Sequence, residues 1–176
     1  MATVIDGSAS VTINSGAVLG ITSGTAVTPT SGTAIVFTGI PSWAKRITIM
    51  MTNLTYSAVV QMNMQIGSGS VATTGYTSTG SIMFTANVTG VSNGSGTGIQ
   101  THGGYTSPVS AQFVWTLVNP TTNLWLGSGT FAYTGNTGIA TATGYIALAG
   151  AADRIQINTV AGTATVTAGT INILYE

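Results

Sequence analysis

Arg46-Ile47-Thr48-Ile49-Met50-Met51 decides the fold. Successive side chains of an extended strand point to opposite sides, so Ile47, Ile49 and Met51 share one apolar face. Gln61-Met62-Asn63-Met64-Gln65-Ile66 repeats the alternation with Met62, Met64 and Ile66. In Ala111 to Val118, Phe113, Trp115 and Leu117 fall on one side, with Val114, Thr116 and Val118 on the other, so both faces are expected to be partly covered. Asp153-Arg154-Ile155-Gln156-Ile157-Asn158 turns Ile155 and Ile157 inward, and Thr170-Ile171-Asn172-Ile173-Leu174-Tyr175 does the same with Ile171, Ile173 and Tyr175. No apolar period of 3.6 residues runs for a useful length.

Further strands are expected at Thr33 to Thr38, Ser81 to Thr85, Leu124 to Tyr133, Gly144 to Ala149 and Thr163 to Thr167. About eight to ten short strands separated by Gly, Pro, Asn and Ser clusters predict an all-β protein, an antiparallel two-sheet β-sandwich of jelly-roll type. The sandwich is assigned to residues 31–176. Residues 1–30 alternate small polar and small apolar side chains and read as an extended N-terminal arm for assembly, one that lays strands on a neighbour. The stretch from Gly90 to Pro108 reads as a long surface loop.

With 176 residues the chain buries about two thirds of the surface it exposes when unfolded. Charged residues are 3% of it, against roughly 25% in an average soluble protein. Lys45, Arg46 and Arg154 balance Asp6, Asp153 and Glu176. Three basic residues cannot neutralise a run of phosphates, so neither nucleic acid nor an anionic membrane is an expected partner. No apolar run is long enough to span a bilayer, and residues 1–20 lack the pattern of a signal peptide. A neutral, Gly- and Thr-rich β protein needs its strand edges covered, which favours a homo-oligomer.

Chemistry requires groups whose ionisation can be tuned, and the stock is three carboxylates and the single His102. No Gly-x-Ser-x-Gly lies between a strand and a helix, and no pair of carboxylates is suggested. One histidine and no cysteine cannot ligate zinc, so neither a metal nor another cofactor is expected. The expected protein is not an enzyme. Glycan recognition needs no charge, only aromatic faces beside polar side chains, and Tyr76, His102 and Tyr105 are the candidate contacts because they sit in apparent loops. Trp43, Trp115 and Trp125 read as buried at a sheet end or an interface. Lys45, Arg46, Asp153 and Arg154 form a candidate structural charge cluster, pairing across the sheets where two strands enter from solvent.

Four ordered blocks carry a resemblance. They are Phe37-Thr38-Gly39-Ile40-Pro41-Ser42-Trp43-Ala44-Lys45-Arg46-Ile47-Thr48, Gln65-Ile66-Gly67-Ser68-Gly69 leading to Thr74-Gly75-Tyr76, Asp153-Arg154-Ile155-Gln156-Ile157, and Gly169-Thr170-Ile171-Asn172-Ile173-Leu174-Tyr175-Glu176. Over residues 30–176 the chain resembles a β-sandwich domain found at the C-terminal ends of tail-fibre-like virion proteins of tailed bacteriophages. The resemblance implies a virion structural protein, assembled in the host cytoplasm, exposed on the particle and trimeric, with no catalytic residues to carry over. A tail fibre carries a shaft, whereas only the arm precedes the domain in this sequence. The expected role is therefore a short tail-fibre or adhesion module contacting bacterial surface polysaccharide. The alternative is a capsid decoration (cement) protein that stabilises the head shell through its arm.

Overall fold

The computed structural model describes residues 11–13, 16–18, 20–84, 87–91, 96–102, 108–135 and 138–176. Its strands are β1 (Val11–Ile13), β2 (Gly16–Val18), β3 (Thr22–Ser23), β4 (Ala34–Thr38), β5 (Arg46–Tyr56), β6 (Met62–Ser68), β7 (Ser70–Val71) and β8 (Thr77–Phe84). They continue with β9 (Asn87–Val91), β10 (Ile99–Gln100), β11 (Val109–Asn119), β12 (Leu124–Tyr133), β13 (Gly138–Ala147), β14 (Arg154–Thr159) and β15 (Val166–Tyr175). There is no helix among the described residues.

Two antiparallel sheets make a β-sandwich. The larger has eight strands in the order β3-β15-β5-β11-β12-β13-β8-β9, and the smaller has the order β10-β6-β14-β4 with β7 paired to β6. β11, β12 and β13 are consecutive neighbours in the larger sheet. This strand order establishes the sandwich without establishing the jelly-roll connectivity. The alternation in the sequence becomes burial: Ile47, Ile49 and Met51 of β5, Met62, Met64 and Ile66 of β6, Ile155 and Ile157 of β14, and Ile171 and Ile173 of β15 all lie in the core.

The second face of β11 is partly covered, with Val114 half-buried and Thr116 and Val118 exposed. Two expectations change. The expected surface loop between Gly90 and Pro108 contains a piece of core: β10 pairs with β6, and Ile99 and Thr101 are buried. Gln65 of β6 donates to the Thr97 carbonyl at 2.7 Å, so the chain entering β10 covers the polar side of β6. That contact explains how Asn63 and Gln65 come to be buried beside their apolar neighbours. The far end of the arm, finally, lies on its own chain: β3 pairs with β15, Gly24 N–H donates to the Ile173 carbonyl at 2.8 Å, and Val27 and Ile171 exchange backbone bonds. Among the described residues β1 and β2 pair with each other and with neither sheet.

Between the sheets lies a band of aromatic rings. Phe113 and Trp115 meet edge to face with centroids 5.3 Å apart, Phe131 is 6.2 Å from Phe113, and Tyr76 is 6.4 Å from Trp115. Gly127 and Gly129 of β12 make room for them. A Cβ at Gly127 would stand 2.8 Å from two ring carbons of Trp115 and 2.6 Å from the Ile99 side chain, and one at Gly129 would stand 2.6 Å from the Phe113 ring. The rings therefore lie directly on the backbone of β12. Gly127→Ala is expected to lower stability by about 1–3 kcal/mol through overpacking, read as a lower urea midpoint at unchanged slope.

Candidate functional site

Of the candidate contacts Tyr76, His102 and Tyr105, the structure draws Tyr76 into the interior. Tyr76 is 5% exposed, and its hydroxyl accepts from Ile66 N–H at 2.9 Å while facing the carbonyls of Ile66 and Ala72 at 3.0 and 3.1 Å. The ring that reads as a loop tyrosine is an interior strut tying the entry of β8 to the end of β6, with no face left for a ligand. His102 follows β10 and is half-buried, its Nδ1 enclosed without a hydrogen-bond partner among the described residues. Tyr105 lies outside the described residues. Trp115 and Trp125 are buried, and Trp43 packs on Tyr175 with centroids 5.7 Å apart.

The expected charge cluster separates into two local pairs. Arg46 meets Glu176 at 3.1 Å at the corner where β5 begins and β15 ends. There Lys45 and Arg46 also donate their backbone N–H groups to the Glu176 carbonyl. Arg154 holds its own neighbour Asp153 through two bonds of 2.7 and 3.0 Å, rather than reaching a partner across the sheets. The hydrogen bond from Arg154 is the main reason the Asp153 carboxyl sits below the usual carboxylate range. Gly69 N–H adds a contact at 3.1 Å that fixes the turn between β6 and β7. Both pairs lie near solvent and serve corners, where water and salt screen them and leave them little weight in stability. Among the described residues no three His, Cys, Asp or Glu gather where they could hold a metal.

The open surface is the outer side of the larger sheet. Strand pairing places Thr79, Thr143 and Ser128 in one row across β8, β13 and β12, and Ser81, Thr141 and Thr130 in the next. Neighbouring strands lie about 4.8 Å apart, so the rows form a small grid of hydroxyls. Ser81 and Thr141 share a hydrogen bond of 3.0 Å, and Thr143 donates to the Gly127 carbonyl at 3.2 Å. The floor beneath them is the backbone of Gly80, Gly129 and Ala142, whose own side positions point into the core, and above it lies a groove of about 470 Å³. It is bounded on one side by Tyr145 and Leu126, which face each other across β13 and β12 and are 49% and 43% exposed. Around this pair a second hollow of about 250 Å³ continues the groove along the strands, sharing Thr79 and Thr143 with it. Ile139 and Met83, paired across β13 and β8, close the other side.

Among the described residues no charged side chain lines either hollow. The closest described position on this face that carries charge is Arg46 on β5, two strands from β12 and so roughly 10 Å away. The grid can donate and accept hydrogen bonds at many points, but it offers no base to activate a hydroxyl and no carboxylate to donate a proton. Neither the grid nor Tyr145 was singled out from the sequence. The signals were present as hydroxyls two apart in Thr77-Ser78-Thr79-Gly80-Ser81, Ser128-Gly129-Thr130 and Thr141-Ala142-Thr143, but only the register between strands brings them together.

Burial drives the Tyr76 phenol up to about 12 and raises that of Tyr56 as well, where Tyr133 adds to the effect. The folded protein therefore keeps protons that the unfolded chain releases near pH 10, and this contribution is fully present below that pH. Melting temperature is expected to fall as pH rises above about 10, and Tyr76→Phe to reduce that fall while costing roughly 1–3 kcal/mol at neutral pH, because Ile66 N–H loses its partner. Thermal unfolding of both proteins across that range measures the two effects.

No family model, no characterised protein and no solved structure matches the chain.

Proposed function

We propose that this protein is a non-enzymatic component of a tailed-phage virion surface. It acts as a short tail-fibre or adhesion module and meets a host-surface glycan through the outer side of its larger sheet. The observation that carries this reading is the uncharged, hydroxyl-lined groove on a scaffold whose two arginines, Arg46 and Arg154, are held in ion pairs at its corners. A surface of that kind acts by shape and hydrogen bonding. Placement on a virion is supported by the four blocks that carry the resemblance, because they pack together although far apart in sequence. β14 lies between β4 and β6, Tyr76 bonds Ile66, Asp153 bonds Gly69, and Lys45 bonds Glu176. They form one connected corner of the sandwich, which is what a shared fold would preserve.

A second reading, capsid decoration, is favoured by one observation. Among the described residues the β1–β2 pair bonds neither sheet of its own chain, and a lone two-stranded pair is marginally stable in water. An arm of that kind suits attachment to a neighbouring capsomer, or to other copies in a trimer. Quantitative mass spectrometry of purified particles separates the readings. Copies in the tens, set by tail symmetry, are expected for an adhesion module, and copies in the hundreds for a shell protein. Absence of the chain from the particles would overturn both.

A further inference from the structure

We infer that the groove over β8, β13 and β12 binds an uncharged polysaccharide, with Tyr145 and Leu126 receiving the C–H face of one sugar ring and the hydroxyl grid bonding its neighbours along the chain. This rests on the reading of the protein as a surface contact module, and it narrows the ligand class and the residues that take it.

Three features point the same way. A hydroxyl carries one donor and two acceptor sites, so the grid of Thr79, Thr143, Ser128, Ser81, Thr141 and Thr130 matches a ligand that is itself an array of hydroxyls. Tyr145, half-exposed beside Leu126, adds an amphipathic ring next to that grid, apolar on its face and polar at its tip. The absence of charge from the lining sets the sign of the ligand: a uronate or sulfate laid here would lose water without gaining a cation, which is costly. A protein partner fits less well, since the centre of a protein interface is apolar and aromatic, whereas the centre of this groove is Thr, Ser and Gly. The groove is also rigid. β13 is paired along nearly its whole length to β12 on one side and β8 on the other, so little order has to be created on binding.

The test uses the full chain against immobilised dextran, mixed-linkage β-glucan and galactomannan as neutral probes, with alginate and heparin as anionic ones, at low and high salt. Saturable binding to a neutral probe that is insensitive to salt is expected. Tyr145→Ala should weaken it about tenfold, with Tyr145→Phe retaining most of it, because the ring rather than its hydroxyl makes the contact. Ser128→Lys, which fills the floor from an exposed position, should abolish it, and unchanged melting temperatures show that the variants fold. Binding confined to alginate or heparin and lost at high salt would overturn the inference. So would no binding to any neutral probe; if the chain is nonetheless found in purified particles, the virion reading stands while the sugar groove falls. Loss of oligomers in Tyr145→Ala with polymer binding unchanged would also overturn it, marking the groove as a contact between copies. Tyr145-dependent binding to a neutral probe by a chain absent from particles supports the groove and defeats the virion reading.

Discussion

Trp115 and Phe113 lie against a strand that has no side chains where they touch it. Gly127 and Gly129 let the rings of β11 rest on the backbone of β12, with Ile99 reaching the same spot from the smaller sheet. This close approach lets a chain with almost no charge build a dense core from few aromatic residues. Burying a large aromatic removes 150–250 Å² of surface from water, which at about 25 cal/mol per Å² is several kilocalories per ring before entropy is subtracted. A β-carbon on either glycine would push the rings, and with them the two sheets, apart.

The same arrangement determines what faces outward. Because β12 and β13 commit one face to the rings, their other face carries what alternation leaves, which is Leu124, Leu126, Ser128, Thr130 and Ala132 on β12 and Ile139, Thr141, Thr143, Tyr145 and Ala147 on β13. In a chain where 3% of residues are charged, hydroxyls and backbone amides must do the work of hydration. Two of the three basic residues are held in ion pairs at corners, Arg46 with the last residue of the chain and Arg154 with its own neighbour. The broad sheet face is thereby left neutral, and the nearly flat array of hydroxyls is a consequence of the composition as much as of the fold.

Much of the fold was legible because alternation depends on local geometry alone. Ile47, Ile49 and Met51, or Ile155 and Ile157, point inward for a reason contained within six residues. The misreadings concern residues whose place is set by distant partners. Gly75-Tyr76-Thr77 looks like a loop until the hydroxyl of Tyr76 is seen on Ile66, ten residues earlier in the chain, at the open end of the β6–β7 hairpin. Ile99 follows a run of glycines and belongs to a strand of two residues, too short to register as a pattern, yet it is buried against Trp115. Lys45, Arg46, Asp153 and Arg154 looked like one cluster because both pairs stand at strand entries; the partner of Arg46 is the chain end, which β15 brings back beside β5. The groove was hidden for a related reason, since its rows run across strands rather than along them.

The account depends on which tyrosines face inward and which face out. Nitration of the native protein with tetranitromethane, mapped by peptide mass spectrometry, reads this directly. Tyr145 is predicted to react readily, and Tyr56, Tyr76 and Tyr133, all buried in the sandwich, to resist until the protein is unfolded. Rapid nitration of Tyr76 in the folded protein, with Tyr145 protected, would contradict the packing of the rings and the position of the binding face together.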